Sequence, residues 1–148
     1  MPRQVYVNIG SNQGDRKAHI ERAVALIAEL AVGGEVLRSS FVESRPWGFS
    51  SDNDFVNLGI VFSTALAPEE LLDALQLMER RISEGAHRDA DGNYIDRDID
   101  IDIIAIDGEE VDTPRLQVPH PRMLAREFVM EPLRELSKSA SWLNSYLV

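Results

Sequence analysis

Three aspartates alternate with isoleucines in segment 96–103, and this spacing is the clearest chemical signal in the chain. In a strand, Asp98, Asp100 and Asp102 lie on one face, about 6.6 Å from one to the next, and the isoleucines lie on the other. Carboxylates this close repel each other, so a cation among them explains the arrangement. A purely oxygen ligand set favours Mg²⁺ or Mn²⁺ together with phosphate oxygens. The alternative is an exposed strand whose acids prevent edge pairing, but the apolar run 104–106 predicts a central strand.

A basic segment follows this acidic one. Residues 84–112 contain eleven acidic side chains and two arginines, whereas Arg115, His120, Arg122 and Arg126 fall within the next fourteen residues. An acidic strand next to basic side chains suits a metal-bound polyphosphate, and the planar guanidinium group pairs well with phosphate oxygens. The alternative is a solvated hairpin followed by a capped helix.

Two other motifs are incomplete. Residues 89–93 imitate the first half of a calcium-binding EF-hand loop, but Tyr94 stands where that loop needs glycine and Asp100 where it needs glutamate. Residues 10–14 follow a predicted strand and precede a predicted helix, yet they lack the lysine of a phosphate-binding Walker A loop. A tight turn is the simpler interpretation of that segment.

Composition limits the class of protein. The chain has 148 residues, 25 acidic against 15 basic, a net charge of -10, 44% hydrophobic residues and no cysteine. These values predict one globular domain over residues 1–148 and exclude a disulfide framework, thiolate catalysis and a cysteine zinc site. An acidic surface disfavours nucleic acid as a partner. The sequence shows neither a membrane-spanning run nor a signal peptide, so we expect a cytoplasmic protein that does not bind membranes.

Hydrophobic periodicity predicts the order strand, helix, strand, strand, helix, strand. In the first strand, Val5, Val7 and Ile9 share one face, which predicts a half-buried strand. The predicted elements are strand 5–9, a helix from 15 to just before 33, strands 36–44 and 55–64, helix 67–82, strand 97–106, a hairpin turn at 107–108 with a short strand near 111, and helix 127–136.

This order is that of a split βαβ, ferredoxin-like α+β fold. We therefore predict a βαββαβ sandwich with a mainly antiparallel sheet. Its helices should pack on one face of that sheet, and a C-terminal hairpin and helix should follow.

Together these segments resemble the 6-hydroxymethyl-7,8-dihydropterin pyrophosphokinase family of folate biosynthesis, from Val5 to about Leu136. The resemblance lies in five motifs, at 8–12, 55–57, 66–72, 96–102 and 118–123, with Phe128, Pro132 and Leu133 behind them. It implies transfer of pyrophosphate from ATP to the pterin alcohol. The alcohol oxygen attacks the β-phosphorus in line, and AMP leaves.

The resemblance also implies which residues do this chemistry. Asp100 and Asp102 would hold two Mg²⁺ ions, with Asp98 at a position where the family does not require an acid. Arg97 would be a catalytic arginine. The predicted ATP contacts are Leu72, Gln76, Glu79, Ile103, Arg115, Leu116, His120 and Arg126. The predicted pterin contacts are Ser44, Trp47, Phe55, Asn57 and Phe128.

Two positions depart from the family pattern. Ala86 stands where the family has an arginine, and Arg88 or His87 would replace it. Tyr94 stands where some members have tryptophan. An alternative is therefore a catalytically weak ferredoxin-like module that binds a nucleotide or heterocycle for regulation, and a third is a calcium-binding structural domain. For the enzyme, the expected partners are ATP and the pterin alone, and the expected state is a monomer.

Overall fold

The structure, a computed structural model, describes residues 2–45, 53–83 and 98–147. Its strands are β1 (Arg3–Ser11), β2 (Leu37–Arg38), β3 (Val42–Ser44), β4 (Phe55–Thr64), β5 (Asp100–Ile106), β6 (Val111–Asp112) and β7 (Gln117–Val118). Its α-helices are α1 (Arg16–Leu30), α2 (Pro68–Ile82) and α3 (Glu127–Leu136), with short 3-10 turns at Val32–Gly34, Met123–Ala125 and Ser141–Tyr146.

The main sheet has β1 between β4 and β5, and every strand pair in it is antiparallel. The strand order is β2-β4-β1-β5, and β3 also pairs with β4 beyond the end of β2. Helix α1 connects β1 to β2 and helix α2 connects β4 to β5, which is the predicted split βαβ arrangement. The α+β, ferredoxin-like fold class is confirmed.

Helices α1 and α2 pack on one face of the sheet because each carries one apolar stripe. In α1 the buried stripe contains Ile20, Ala23 and Ile27, and in α2 the stripe contains leucines and a methionine at helical spacing, Leu71, Leu75, Met78 and Ile82. Asp15 caps α1 by accepting the Ala18 amide at 3.1 Å. These side chains form one core with the isoleucines and valines of β1, β4 and β5.

Helices α1 and α2 share one face of the sheet as predicted, whereas the C-terminal helix α3 packs on the opposite face. A second core there contains Tyr6 of β1 and Met130, Leu133 and Leu136 of α3. Strand β1 is consequently buried from Val5 onwards on both sides, and the prediction of a half-buried strand is wrong. The amphipathic pattern of α3 shows that the helix has a buried face, but it does not show which side of the sheet covers that face.

The predicted strand 36–44 is interrupted between β2 and β3. Ser39 pairs with Gly59 by two hydrogen bonds, one from its own amide to the Gly59 carbonyl and one from the Gly59 amide to the Ser39 hydroxyl oxygen, both 2.9 Å long. The Ser39 side chain thus replaces a backbone acceptor, and the register with β4 shifts by one residue between β2 and β3. Alternation of residue types does not reveal such a replacement.

Strand β5 is an edge strand, contrary to the prediction of a central one. Its free edge is covered in another way, because the Glu79 carboxylate accepts the Ile101 amide at 2.7 Å and the His120 amide donates to the Ile104 carbonyl at 2.8 Å. A shift in the pairing of β5 with β1 between Tyr6 and Val7 brings Ile104 and Ala105 into the α3 core. Burial by these flanking segments explains why 104–106 is apolar on both faces.

The C-terminal elements lie where the sequence predicts them. Gly108 has φ 71° in the turn after β5, β6 begins at Val111, and α3 has the predicted bounds. The partner of β6 is β7 rather than β5, and across the turn at 107–108 the structure has an isolated bridge between Ile106 and Glu109. Within the three described ranges, no helix has both the length and the apolar composition needed to cross a membrane.

Candidate active site

The candidate site lies on the α3 side of the sheet, where three strands place polar residues in one row. Gly10 of β1 pairs with Asn57 of β4 on one side and with Asp100 of β5 on the other. Directly paired residues of antiparallel strands point to the same face. The backbones of β4 and β5 are two interstrand spacings apart, roughly 10 Å. We call this row the floor: Asn57, Gly10 and Asp100.

Gly10 keeps the middle of the floor flat. A Cβ atom at this position would lie 3.0 Å from Asn57 Oδ1 and 3.4 Å from Phe55 Cδ1. Any larger residue would therefore displace the side chains predicted to bind the heterocycle. Bare backbone between an amide and a carboxylate leaves space for a flat ring to lie against the strand.

The Asn57 side chain has a fixed orientation. Its Nδ2 donates to the Ser44 hydroxyl at 2.7 Å and to the Val42 carbonyl at 3.2 Å, so Oδ1 is turned toward Gly10. Asn57 is only 2% exposed. An amide held in this way presents an acceptor to the ring N–H or amino group of a ligand, and Ser44 acts by orienting it.

The loops beside the floor are attached to one another by side chains. Asn12 Nδ2 donates to the Asn53 carbonyl at 3.2 Å, and Arg16 Nη1 donates to the Asp54 carbonyl at 2.9 Å. Both acceptors immediately precede Phe55, the first residue of β4. The β1–α1 loop thus fixes the start of β4, which explains the polar residue Asn12 directly after β1.

At the acidic end of the floor, two of the three predicted aspartates alternate with isoleucines in the strand. Asp100 and Asp102 are half-buried on one face of β5, while Ile101 and Ile103 are buried on the other. Asp98 precedes the first residue of β5 and so lies outside its ladder. Asp102 pairs with Asn8 of β1, one row from the floor.

A third carboxyl group stands beside this pair. Glu79 of α2 is 8% exposed. Burial first, and then the charge of Asp100 with a smaller effect of Asp102, raises the pKa of Glu79 to about 9. Such crowding of acidic oxygens favours a neighbouring cation and fits the oxygen donors that Mg²⁺ prefers. Among the described residues, no cluster of three or more His, Asp or Glu side chains has the arrangement of a complete metal site.

His120 is set as a neutral donor beside the floor. Its Nδ1 accepts the Arg122 amide at 3.2 Å, which places the ring proton on Nε2. Burial, followed by the positive charges of Arg126 and Arg122, lowers the pKa of His120, and Asp100 opposes them weakly. A neutral imidazole with an Nε2 proton can donate to a phosphate oxygen.

Arg126 and Phe128 are brought together where α3 begins. The Arg126 guanidinium carbon lies 5.7 Å from the centre of the Phe128 ring, within the range of a cation–π contact. Both side chains are half-buried. The Asn8 side-chain amide donates to the Phe128 carbonyl at 3.0 Å, so this end of α3 is fixed to β1 next to the floor.

The remaining predicted ATP residues lie on the other side of β5. On α2, Leu72, Gln76 and Glu79 are spaced by four and three residues and so form one stripe. The β6–β7 hairpin lies against the same helix, since Arg115 pairs with Asp73 at 2.5 Å and Thr113 donates to Glu69 at 3.1 Å. Ile103 and Leu116 are buried in the α1–α2 core.

The structure thus places the predicted site residues in two groups that meet at β5. One group lies over the floor on the α3 side, and the other lies between α2 and the hairpin. Glu79 was predicted to contact ATP. In the structure its carboxyl group accepts a hydrogen bond from the Ile101 amide of β5. Trp47, Arg88 and Arg97 lie outside the described residues, as do the departures at Ala86 and Tyr94.

Sequence reasoning gave no role to Gly10 or Asn8, although both belong to the first motif. Their positions matter only through cross-strand neighbours, Gly10 through Asn57 and Asn8 through Phe128. The sequence gives one signal for the role of Asn8: it is a polar residue between the apolar residues of β1.

Comparison with known proteins gives a consistent result. The family profile described as 7,8-dihydro-6-hydroxymethylpterin-pyrophosphokinase matches residues 6–138. A 2-amino-4-hydroxy-6-hydroxymethyldihydropteridine pyrophosphokinase from Porphyromonas gingivalis is 36% identical over 141 residues, 95% of this chain and 92% of that protein. Proteins of the same name from Bacillus subtilis and Pseudomonas aeruginosa are 36% and 37% identical, covering 88% and 93% of this chain and 76% and 82% of their own lengths.

Proposed function

This chain belongs to the 7,8-dihydro-6-hydroxymethylpterin-pyrophosphokinase family and is an enzyme of that class, and we propose that its floor aligns the pterin alcohol with the β-phosphorus of ATP. The pterin oxygen forms a bond to that phosphorus as the bond from the same phosphorus to the AMP oxygen breaks. The alcohol loses its proton, and the pterin diphosphate and AMP are the products.

One observation carries the proposal: the floor places the fixed Asn57 amide about 10 Å from Asp100, with only the backbone of Gly10 between them. Asn57 and Asp100 both pair with Gly10, so all three belong to one rigid ladder. A bicyclic heterocycle held at Asn57 would extend its hydroxymethyl group over Gly10 toward the carboxylates. Little covalent chemistry is asked of the protein, because positioning and charge neutralisation dominate phosphoryl transfer.

The residues of the chain divide this work. Asn57, oriented by Ser44, reads the polar ring edge, while Phe55 and Phe128 supply apolar contacts to the ring faces. His120, Arg115 and Arg126 neutralise phosphate oxygens. Leu72, Gln76, Ile103 and Leu116 lie where the adenosine would be received, and Glu79 holds β5 in place.

Asp100 and Asp102 would hold Mg²⁺ supplied with ATP. When bound there, two such ions would neutralise phosphate charge and hold the phosphates in line with the acceptor. Their fit rests on the oxygen-only donor set and on the pairing of Asp100 and Asp102 with β1, which places both carboxylates on one face of β5.

Further parts of the proposal concern the whole chain. We propose that it acts as a monomer in the cytoplasm on its two small-molecule substrates. Arg97 and Arg88, which lie outside the described residues, are proposed to contact the phosphates. The competing proposal, a regulatory binding module, would keep ligand affinity without turnover.

A coupled assay separates these two functions. Purified protein is incubated with ATP, hydroxymethyl dihydropterin and Mg²⁺, and AMP is measured with each component omitted in turn. We expect AMP only when all three are present. Binding of both ligands without AMP would support the regulatory module and contradict the enzyme.

A further inference from the structure

Helix α3 contains a proline in its interior, Pro132, which is the sixth residue of the helix. In an α-helix the amide of residue 132 would donate to the carbonyl of Phe128. Proline has no amide proton, and its ring also crowds that carbonyl. The Phe128 carbonyl therefore has no i to i+4 helical donor.

Strand β1 supplies the missing donor. Asn8 is 3% exposed, and its Nδ2 lies 3.0 Å from the Phe128 oxygen. A second bond from β1 to the same helix is not equivalent: Tyr6 donates to the Val129 carbonyl at 2.6 Å, but α-helical geometry also provides that carbonyl with a donor, the amide of Leu133. Of the two, the bond from Asn8 replaces a donor that α3 lacks.

The surrounding packing keeps this arrangement in place. Asn8 pairs with Gly59 of β4 and with Asp102 of β5. A Cβ atom on Gly59 would lie only 2.7 Å from Pro132 Cβ, so the helix rests directly on the strand backbone. The start of α3 is thereby held over β1, beside Asp102 and one row from Gly10.

We propose that Asn8 is a positioning residue for Phe128. It does not touch either substrate; it replaces the donor that Pro132 lacks and so fixes where the Phe128 ring stands beside the floor. The pterin-binding part of this inference rests on the proposed function, whereas the hydrogen bond can be tested without any ligand.

A double-mutant cycle tests it, because Pro132→Ala restores the missing helical donor. The probe is 6-hydroxymethylpterin, titrated by calorimetry in the presence of Mg²⁺ and a non-hydrolysable ATP analogue. We expect Asn8→Ala to weaken pterin binding about five- to tenfold, and the affinity for the analogue alone to change less. Pro132→Ala should remain within about twofold of wild type, and Asn8→Ala with Pro132→Ala should recover most of the loss.

Glu135→Ala is the matched control, since it removes the hydrogen bonds that attach the other end of α3 to Ser40. It should lower the melting temperature yet leave pterin affinity within about twofold. If Glu135→Ala weakens pterin binding as much as Asn8→Ala does, or if the double variant stays as weak as Asn8→Ala, the inference is overturned.

Amide hydrogen exchange separates this inference from the proposed function. Without ligand, exchange at residues 129–131 should be faster in Asn8→Ala and slow again in the double variant. If the exchange rates follow this pattern but the wild type does not bind the pterin, the proposed function is contradicted while the role of Asn8 is supported. Unchanged exchange in Asn8→Ala would overturn the inference itself.

Discussion

At the residue scale, the two carboxylates of β5 are assigned by position as well as by type. Asp100 and Asp102 lie in the ladder with β1, whereas Asp98 precedes it. A side chain held by a ladder has a fixed direction, so the two carboxylates would hold a metal ion with little reorganisation.

Replacing Asp100 or Asp102 with Ala should therefore lower the rate of pyrophosphate transfer about 100-fold or more. Thermal stability should hold or rise slightly, because repulsion between the carboxylates of Asp100 and Asp102 is relieved. Asp98→Ala is the matched control and should be much milder. Equal loss of activity in all three variants would show that the pair is misassigned.

Asn57 is expected to act on one ligand only. Asn57→Ala should weaken pterin binding by about 1 to 3 kcal/mol, since polar ring atoms would lose their partner, and should leave ATP binding almost unchanged. Ser44→Ala should have a smaller effect in the same direction, because Val42 still holds the Asn57 amide. Calorimetry with each ligand distinguishes this from a folding defect, in which both affinities fall equally.

The sequence was sufficient to predict the residues whose chemistry is visible in their type. Alternation alone placed Asp100 and Asp102 on one face, and the structure agrees. The orientation of Asn57 by Ser44 and the need for Gly10 could not be predicted, because both depend on which residues face each other across strands. Register is a property of the folded sheet.

At the element scale, α3 determines which side of the sheet carries the site. The helix starts over Asn8, crosses β4 at Gly59, and ends near the β2–β3 connection, where Glu135 accepts hydrogen bonds from the Ser40 amide and hydroxyl at 2.6 and 2.7 Å. The sequence predicted the bounds of α3 but not its face. The burial of β1 on both sides follows from that placement.

Gly59→Ala tests this packing. The new methyl group would meet Pro132 Cβ at 2.7 Å and Tyr6 Cε1 at 2.9 Å, so α3 must move, at a cost of about 1 to 3 kcal/mol in unfolding free energy. Gly10→Ala on the same face is the comparison, because its nearest contact is Asn57 Oδ1 at 3.0 Å. In urea unfolding, Gly59→Ala should lose more unfolding free energy than Gly10→Ala. In pterin titration, Gly10→Ala should lose more affinity relative to the stability that it loses. The reverse order would contradict the described packing of α3.

At the scale of the whole molecule, the site combines an acidic strand with basic segments that fold over its edge. The net charge is -10, yet the positive charges of Arg122 and Arg126 act on the same side chain, His120, as the negative charge of Asp100. Positive groups therefore stand beside the carboxylates of an acidic chain, which is what a site for metal-bound polyphosphate requires.

This electrostatic environment predicts a pH effect on stability. The pKa of His120 is lowered on folding by burial and by Arg126 and Arg122, so below about pH 6.5 the unfolded chain binds a proton that the native state resists. The contribution of His120 to the free energy of unfolding is fully present above pH 6.5 and is lost as the pH falls. Asn offers Oδ1 in place of Nδ1, so the stability of the wild type relative to His120→Asn should decline from pH 7.5 to 5.5 in urea unfolding. A constant difference across this range would contradict the assigned environment of His120.

The most direct test of the central claim is the fate of the β- and γ-phosphorus atoms of ATP. Phosphorus NMR of the complete reaction, with wild type and with Asp102→Ala, follows both atoms. We expect both atoms to leave ATP together and to appear in one pterin diphosphate for each AMP with the wild type, and to do so barely with the variant. Formation of ADP, or of AMP and free pyrophosphate independent of the pterin, would contradict it.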